Sequence, residues 1–260
     1  MSHISYSELK TWTDCAWKHK LNYVDRINQF KGNEYTAFGT ALHTVCENLV
    51  CENNVDPKTL FQEEFLKNLR EIKENDAELT LRGDLVNQMR VQGDQIIDYI
   101  LPALKRYFGS FKLIEVEEKL FEPITDQEYD FKGFIDLVVQ TKDGKYHVID
   151  WKTCSWGWDT RKKSDKMITY QLTLYKHFWA QKHNVDPKDI QTHFALLKRT
   201  AKKDMVELFK VTSGAKKTEN ALKLLNKALY NIKRKSHIKN KLSCYGKYGV
   251  CEYYKTKYCP

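Results

Sequence analysis

Two acidic residues stand inside runs that otherwise read as buried β-strand. Gly133-Phe134-Ile135-Asp136-Leu137-Val138-Val139 carries one and His147-Val148-Ile149-Asp150-Trp151-Lys152 carries the other. The enrichment in β-branched and aromatic residues, with period-two alternation, predicts strands over 111–121, 129–140 and 145–151. A carboxylate in such a run is rarely buried without a partner or a metal. Asp150 and Lys152 are two residues apart, so on a strand they project from one face. The turn between the strands decides whether Asp136 joins them. A two-residue Asp143-Gly144 loop would set Asp136 opposite Trp151 and turn Asp150 away. A three-residue loop, Lys142-Asp143-Gly144, sets Asp136 opposite Asp150 on the face of Lys152. Gly144 suits the left-handed last position of that loop, so the three-residue form is expected. Two carboxylates and a lysine on one face suit metal-dependent phosphodiester hydrolysis. The carboxylates hold a hard divalent cation, and the cation polarises phosphate and acidifies bound water. The lysine orients the nucleophile or offsets developing negative charge.

The rest of the pattern alternates between helix and strand. Ser5 and Glu8 form a capping-box signature that predicts a helix over 6–23. Phe38, Leu42, Val45, Cys46 and Leu49 make a helical stripe over 35–50, and further helical patterns cover 58–72, 81–108 and 164–183. Two more strands are expected at 191–198 and 205–211. A basic helix is expected at 216–235, with Leu222, Leu225 and Leu229 on its buried face. The order gives a mixed α/β core with an N-terminal helical lobe. With 260 residues and 42% hydrophobic content, the chain has the material for one large packed domain and is not a disordered sequence. No apolar run approaches the roughly 18 residues of a membrane span. The opening MSHISYSELK also lacks the blocks of a signal peptide. A soluble cytoplasmic protein is therefore expected, with no membrane partner.

Charge and cysteine are both unevenly placed. The net charge is +9, yet residues 198–260 alone hold 17 Lys plus Arg against 4 Asp plus Glu. That excess suits a polyanion such as DNA. Of seven cysteines, Cys244, Cys251 and Cys259 crowd into the last 17 residues. An odd count without a secretory signal argues against a disulfide framework and for a metal or cluster. Cys46, Cys51 and Cys154 read as small apolar residues. Tyr245, Tyr248, Tyr253, Tyr254 and Tyr258 interleave with lysines. They can stack on bases or pack around a cluster, and both readings stand. Trp156 and Trp158, just after the Asp150 strand, are candidates for lining a DNA path.

Asp136 followed by Asp150-x-Lys152 resembles the core of the PD-(D/E)XK nucleases. The wider pattern resembles their RecB-like branch, which includes the Cas4-like exonucleases and the AddB nuclease domain. SYSELKTWTDC resembles the branch's N-terminal helix ending in a cysteine, and FGTALH its metal-binding histidine motif. GFIDLV and VIDWKT resemble its two acidic motifs, and YQLTLY the helix motif after the lysine. The resemblance covers nearly the whole chain. It implies a restriction-endonuclease-like fold, a mixed β-sheet core flanked by helices. Residues 1–110 would form the helical lobe with the histidine motif, 111–212 the catalytic core, and 213–260 the basic helix and a cysteine tail closing a cluster site. It implies Mg²⁺ or Mn²⁺ held by His43, Asp136, Asp150 and the Trp151 carbonyl, with Lys152 catalytic. Gln171 and Tyr175, four apart on one helical face, would position the lysine or touch the DNA backbone. Glu117 or Glu118 would support the site, and spacing does not choose between them. Cys15 with Cys244, Cys251 and Cys259 would hold a [4Fe–4S] cluster, which takes four thiolates. This chain has Ala16 where the branch has proline, and spacings of Cys-x6-Cys and Cys-x7-Cys where it has a tight pair. Zinc at the same thiolates ranks second and free thiols third.

The implied activity is a metal-dependent exonuclease on single-stranded DNA or duplex ends, working in recombination, repair, replication or CRISPR-type processing. The sequence has no GxxxxGK[ST] phosphate loop, so a motor would come from a helicase partner; a recombinase or integrase is the other expected partner type. The alternatives are a catalytically silent DNA-binding scaffold of this fold and a zinc-containing endonuclease of another PD-(D/E)XK branch.

Overall fold

A computed structural model describes residues 2–27, 30–76, 78–246 and 249–260. They fall into two compact units. One is Gly32–Leu120 with Phe134–Ser213, and the other is Met1–Lys31 with Phe121–Gly133 and Gly214–Pro260. No helix among the described residues is long and apolar enough to cross a membrane. Tyr248 lies outside the described residues.

The larger unit is built on a mixed sheet. Strand β2 (Phe111–Pro123) pairs with β3 (Tyr129–Thr141), β3 runs antiparallel to β4 (Tyr146–Cys154), β4 parallel to β5 (Ile190–Lys198), and β5 antiparallel to β6 (Val206–Val211). A parallel pair needs a crossover, and after the short α6 (Thr160–Ser164) helix α7 (Lys166–His183) supplies it between β4 and β5, with Asp165 capping its start. The β3–β4 register places Leu137 opposite Ile149 and Gln140 opposite Tyr146. The Thr141 N–H donates to the Lys145 carbonyl, and Gly144 takes φ +79°. The loop is therefore Lys142-Asp143-Gly144, as its glycine position foretold, and continuing the register one step sets Asp136 opposite Asp150.

Helices α3 (Glu34–Val50), α4 (Pro57–Asn75) and α5 (Gly83–Phe108) form the apolar layer that positions the site. Phe38, Phe61 and Phe65 are fully buried, with ring centroids 5.6–5.9 Å apart. Each such burial contributes about 1.5–3 kcal/mol. At Gly93 of α5 an added Cβ would lie 2.1 Å from the Phe61 ring, so only glycine lets α5 approach α4 so closely. Leu137, Val139, Ile149 and Trp151 join this core from the sheet, leaving the alternate residues, Asp136 and Asp150 among them, for the other face. An Asn33 capping box starts α3 and fixes where its histidine falls.

In the smaller unit the expected single helix over 6–23 is broken. Helix α1 (Tyr6–Asp14) stops at Cys15, whose backbone is extended at φ −161° and ψ 113°, and α2 (Ala16–His19) leads into a wider turn at Lys20–Val24. Ser5 does accept from the Glu8 N–H, but the Glu8 carboxylate turns to His19 Nε2 at 2.8 Å. Strand β1 (Ser2–Ser5) pairs in parallel with Tyr129–Lys132, and four residues were too few for a sequence signal. Helix α8 (Ala215–Lys233) buries Ala221, Leu225, Ala228 and Leu229, whereas Leu222 is half-buried. The C-terminal tail is tied to α2: Trp17 Nε1 donates to the Tyr258 carbonyl at 2.9 Å and Lys18 pairs with Glu252 at 2.9 Å.

Candidate metal centre and the lysine beside it

Three elements of the larger unit bring donors together. His43 on α3, Glu117 on β2 and Asp136 on β3 each place one ligand atom within 4.8 Å of the others. Facing ligands of a cation held at about 2.0–2.6 Å lie some 4–5 Å apart, so this trio fits a divalent ion. Asp136 is buried and oriented: its Oδ2 accepts the Trp151 N–H at 2.6 Å, while Oδ1 stands 3.6 Å from His43 Nδ1. Burial lowers the basicity of His43, but Asp136 and Asp150 more than offset this and raise its pKa. Glu117 has φ +47°, a left-handed backbone that a β-strand ordinarily excludes. A strained non-glycine residue of this kind costs about 1–3 kcal/mol and is characteristic of functional sites.

Asp150 sits beside the trio with both oxygens engaged. Gln171 Nε2 of α7 donates to Oδ1 at 2.7 Å, and Lys152 Nζ lies 2.6 Å from Oδ2. Gln171 also donates to the Tyr175 hydroxyl at 3.3 Å, so the expected i, i+4 face does meet the acid. Burial pushes the Asp150 carboxyl up to about 6; Lys152 pulls it down and Asp136 pushes it up. Burial raises the Tyr175 hydroxyl well above its ordinary value. Trp151 is buried, and its N–H is spent on Asp136.

The choice left open between Glu117 and Glu118 is resolved by direction. Glu118 is buried away from the trio, accepting from Trp179 Nε1 at 2.5 Å, Lys182 Nζ at 2.9 Å and His183 Nε2 at 2.5 Å. A further acid, Glu47, was not picked out from the sequence. It stands one turn beyond His43 on α3, and burial and the adjacent Glu117 push it up to about 7. Its i+4 spacing from the histidine was the available signal.

In the smaller unit Cys15, Cys244, Cys251 and Cys259 all line one cavity of about 500 Å³. None of the four is in a disulfide, and Cys15 Sγ accepts the Asn240 N–H at 3.4 Å. Burial raises the Cys244 thiol, and Cys259 and Cys15 raise it further. Among the described residues, the only cluster of three potential ligands within 4.8 Å of one another is the His43 trio; no three of the cysteines meet that distance.

A mixed sheet with helices against it, carrying paired aspartates and a lysine on one face with a helix-borne histidine beside them, defines a nuclease of restriction-endonuclease-like fold. The chain belongs to the PD-(D/E)XK nuclease superfamily, whose family model matches residues 3–260. Among solved structures it is similar to a candidate exonuclease from Eubacterium rectale, at 13% identity and TM-score 0.60, covering 98% of this chain and 86% of that one. At that identity the likeness concerns the fold. A second structure, SSO0001, matches at 14% identity and TM-score 0.35 over 74% of this chain and 84% of its own, which carries no argument. No curated protein matches the sequence.

Proposed function

We propose that the protein is a Mg²⁺- or Mn²⁺-dependent exonuclease on single-stranded or end-exposed DNA. The observation that carries this is the convergence of His43, Glu117 and Asp136 beside the Asp150–Lys152 pair. The cation, when bound, supplies Lewis-acid polarisation of the phosphate and an acidified water. His43, Glu117 and Asp136 would hold it, with Asp150 and the Trp151 carbonyl as the further ligands implied by the family pattern. The protein's own part is orientation. Trp151 fixes the Asp136 carboxylate, Gln171 fixes Asp150, and Asp150 holds the Lys152 ammonium at the edge of the site. Lys152, about a third exposed, can face an incoming phosphate and offset the charge that develops there.

Cys15, Cys244, Cys251 and Cys259 fit a [4Fe–4S] cluster as a staple between the chain's two ends. DNA is the partner, with a helicase, recombinase or integrase supplying the biological setting in recombination, repair, replication or CRISPR-type processing.

The test compares end-labelled linear DNA with closed circular DNA, in Mg²⁺ or Mn²⁺ against chelator. Loss of the linear substrate alone, abolished by chelator, supports the proposal. Cleavage of both forms overturns the exonuclease reading in favour of an endonuclease.

A further inference from the structure

On α3, Tyr35, Gly39, His43 and Glu47 recur every fourth residue, each neighbouring the next along the helix surface. The last two line the acid cluster. Gly39 lies against the strand end, where an added Cβ would stand 3.4 Å from the Thr153 hydroxyl, one residue past Lys152. Tyr35 is 46% exposed and carries two cations: the guanidinium carbons of Arg82 and Arg199 lie 5.6 and 5.4 Å from its ring centroid.

Both arginines are anchored. Arg82 donates through its backbone N–H and Nε to Glu34 Oε1, at 2.9 and 3.2 Å. Arg199 donates through Nη1 to Gln92 Oε1 at 2.8 Å, and its backbone N–H binds the Cys154 carbonyl at 2.8 Å, two residues past Lys152. Thr200 then grips the Ser155 carbonyl with both N–H and hydroxyl, at 2.9 and 2.8 Å. The next residue, Trp156, is 74% exposed. With Glu34 counted, the group keeps a net positive charge.

From His43 to Tyr35 is eight residues, about 12 Å along the helix axis, or three to four nucleotides at a stacked rise of about 3.4 Å. Pinned cations beside partly exposed aromatic side chains are the elements of sequence-independent single-strand binding: bases stack on the ring surface that the guanidiniums leave uncovered while the cations hold phosphates. Within a duplex the base faces are stacked inside, and only the terminal pair offers one to a ring. We propose that Tyr35, Arg82, Arg199 and Trp156 form a single-stranded DNA subsite, three to four nucleotides from the scissile phosphate. The proposal deepens the nuclease reading and rests on it.

The test is fluorescence anisotropy with a labelled single strand of about 20 nucleotides, longer than a typical site, in chelator so that nothing is cut. Tyr35→Ala should weaken binding about tenfold, the size of a lost base–aromatic stack, and Tyr35→Trp should restore it. Arg199→Gln should lower the salt slope by about 0.7. Tyr99→Ala, a partly exposed tyrosine on α5, should bind as wild type. Binding to blunt duplex should not respond to Tyr35→Ala. Wild-type affinity in both Tyr35→Ala and Arg199→Gln, no single-strand binding by the wild type, or an equal loss on duplex overturns the subsite. Tyr35-dependent binding by a protein that cuts nothing in Mg²⁺ or Mn²⁺ would instead reject the nuclease reading alone.

Discussion

Glu117 and Glu118 are neighbours in sequence with opposite surroundings, and exchanging each for alanine should have opposite consequences. The Glu118 side chain is 4% exposed and accepts from Trp179, Lys182 and His183. Its removal strands an indole N–H in the core and takes the acceptor from the Lys182 ammonium and the His183 ring. Breaking a buried pair costs about 3–5 kcal/mol. Lys182 and His183 are 34% and 36% exposed, so water re-satisfies them in part. The expected cost for Glu118→Ala is therefore near the low end, about 3 kcal/mol. At about 2–4 °C per kcal/mol for a chain of this size, Tm should fall by roughly 6–12 °C. Metal binding should persist. The pH dependence follows from the lowered carboxyl pKa of Glu118, where bonds from His183, Lys182 and Trp179 outweigh burial. Its stabilisation is complete above the unfolded value of about 4.3 and fades as pH falls through the folded one, so wild type and variant should converge in acid. Glu117→Ala should do the reverse. It removes one ligand and a like charge beside Glu47, so Mn²⁺ affinity should drop at least tenfold while the metal-free Tm holds or rises. Scanning calorimetry and Mn²⁺ titration calorimetry read both quantities. An unchanged Tm with lost metal binding in Glu118→Ala, or a lowered Tm with intact metal binding in Glu117→Ala, would refute the reasoning.

Gln171→Ala should lower kcat by about 10–100-fold with little change in Tm, because Gln171 acts by orienting Asp150 rather than by holding the fold; an unchanged kcat would remove it from the site. His193 is buried, bonded to His147 at 3.0 Å, and its pKa is driven down to about 3 by burial, with His147 and Lys210 adding to the effect. The unfolded chain takes the proton below about pH 6.5 and the folded one does not. Stability should therefore fall by up to about 1.4 kcal/mol per pH unit between roughly 6 and 4, and His193→Gln should flatten that slope in acid-denaturation curves. Protein purified anaerobically should be brown with about four irons per chain, and Cys251→Ser should lose iron and destabilise the tail; a colourless protein with one zinc would replace the cluster with the zinc reading.

The parts of the fold that were legible in sequence are those set by local pattern. The apolar runs around Asp136 and Asp150 marked the strands. One glycine position, Gly144, fixed the loop length and so the register that faces the two acids. The stripe from Phe38 to Leu49 located the helix that carries His43. What was not legible depends on contacts far away in the chain. Nothing local in SYSELKTWTDCAWKH marks the break at Cys15, where the thiol meets the Asn240 N–H and Trp17 reaches the Tyr258 carbonyl. The choice between Glu117 and Glu118 turns on a single left-handed residue in a strand, which alternation alone would not predict for glutamate. Of the expected metal ligands, His43 and Asp136 fall in the converging trio. Asp150 lies beside it, held by Gln171 and Lys152. That arrangement depends on α7 returning over the sheet, a tertiary event with only the Gln171–Tyr175 spacing as its trace.

The central claim is that metal binding and catalysis reside in separable residues of one site. Its most direct test is Mn²⁺ titration calorimetry alongside single-strand cleavage, for wild type, His43→Ala, Asp136→Asn and Lys152→Ala. The account predicts at least tenfold weaker Mn²⁺ binding in the first two variants. Lys152→Ala should bind Mn²⁺ at least as tightly as wild type, since Asp150 loses its competing cation, and yet cut nothing. Wild-type metal affinity in His43→Ala and Asp136→Asn, or full cleavage by Lys152→Ala, would contradict it.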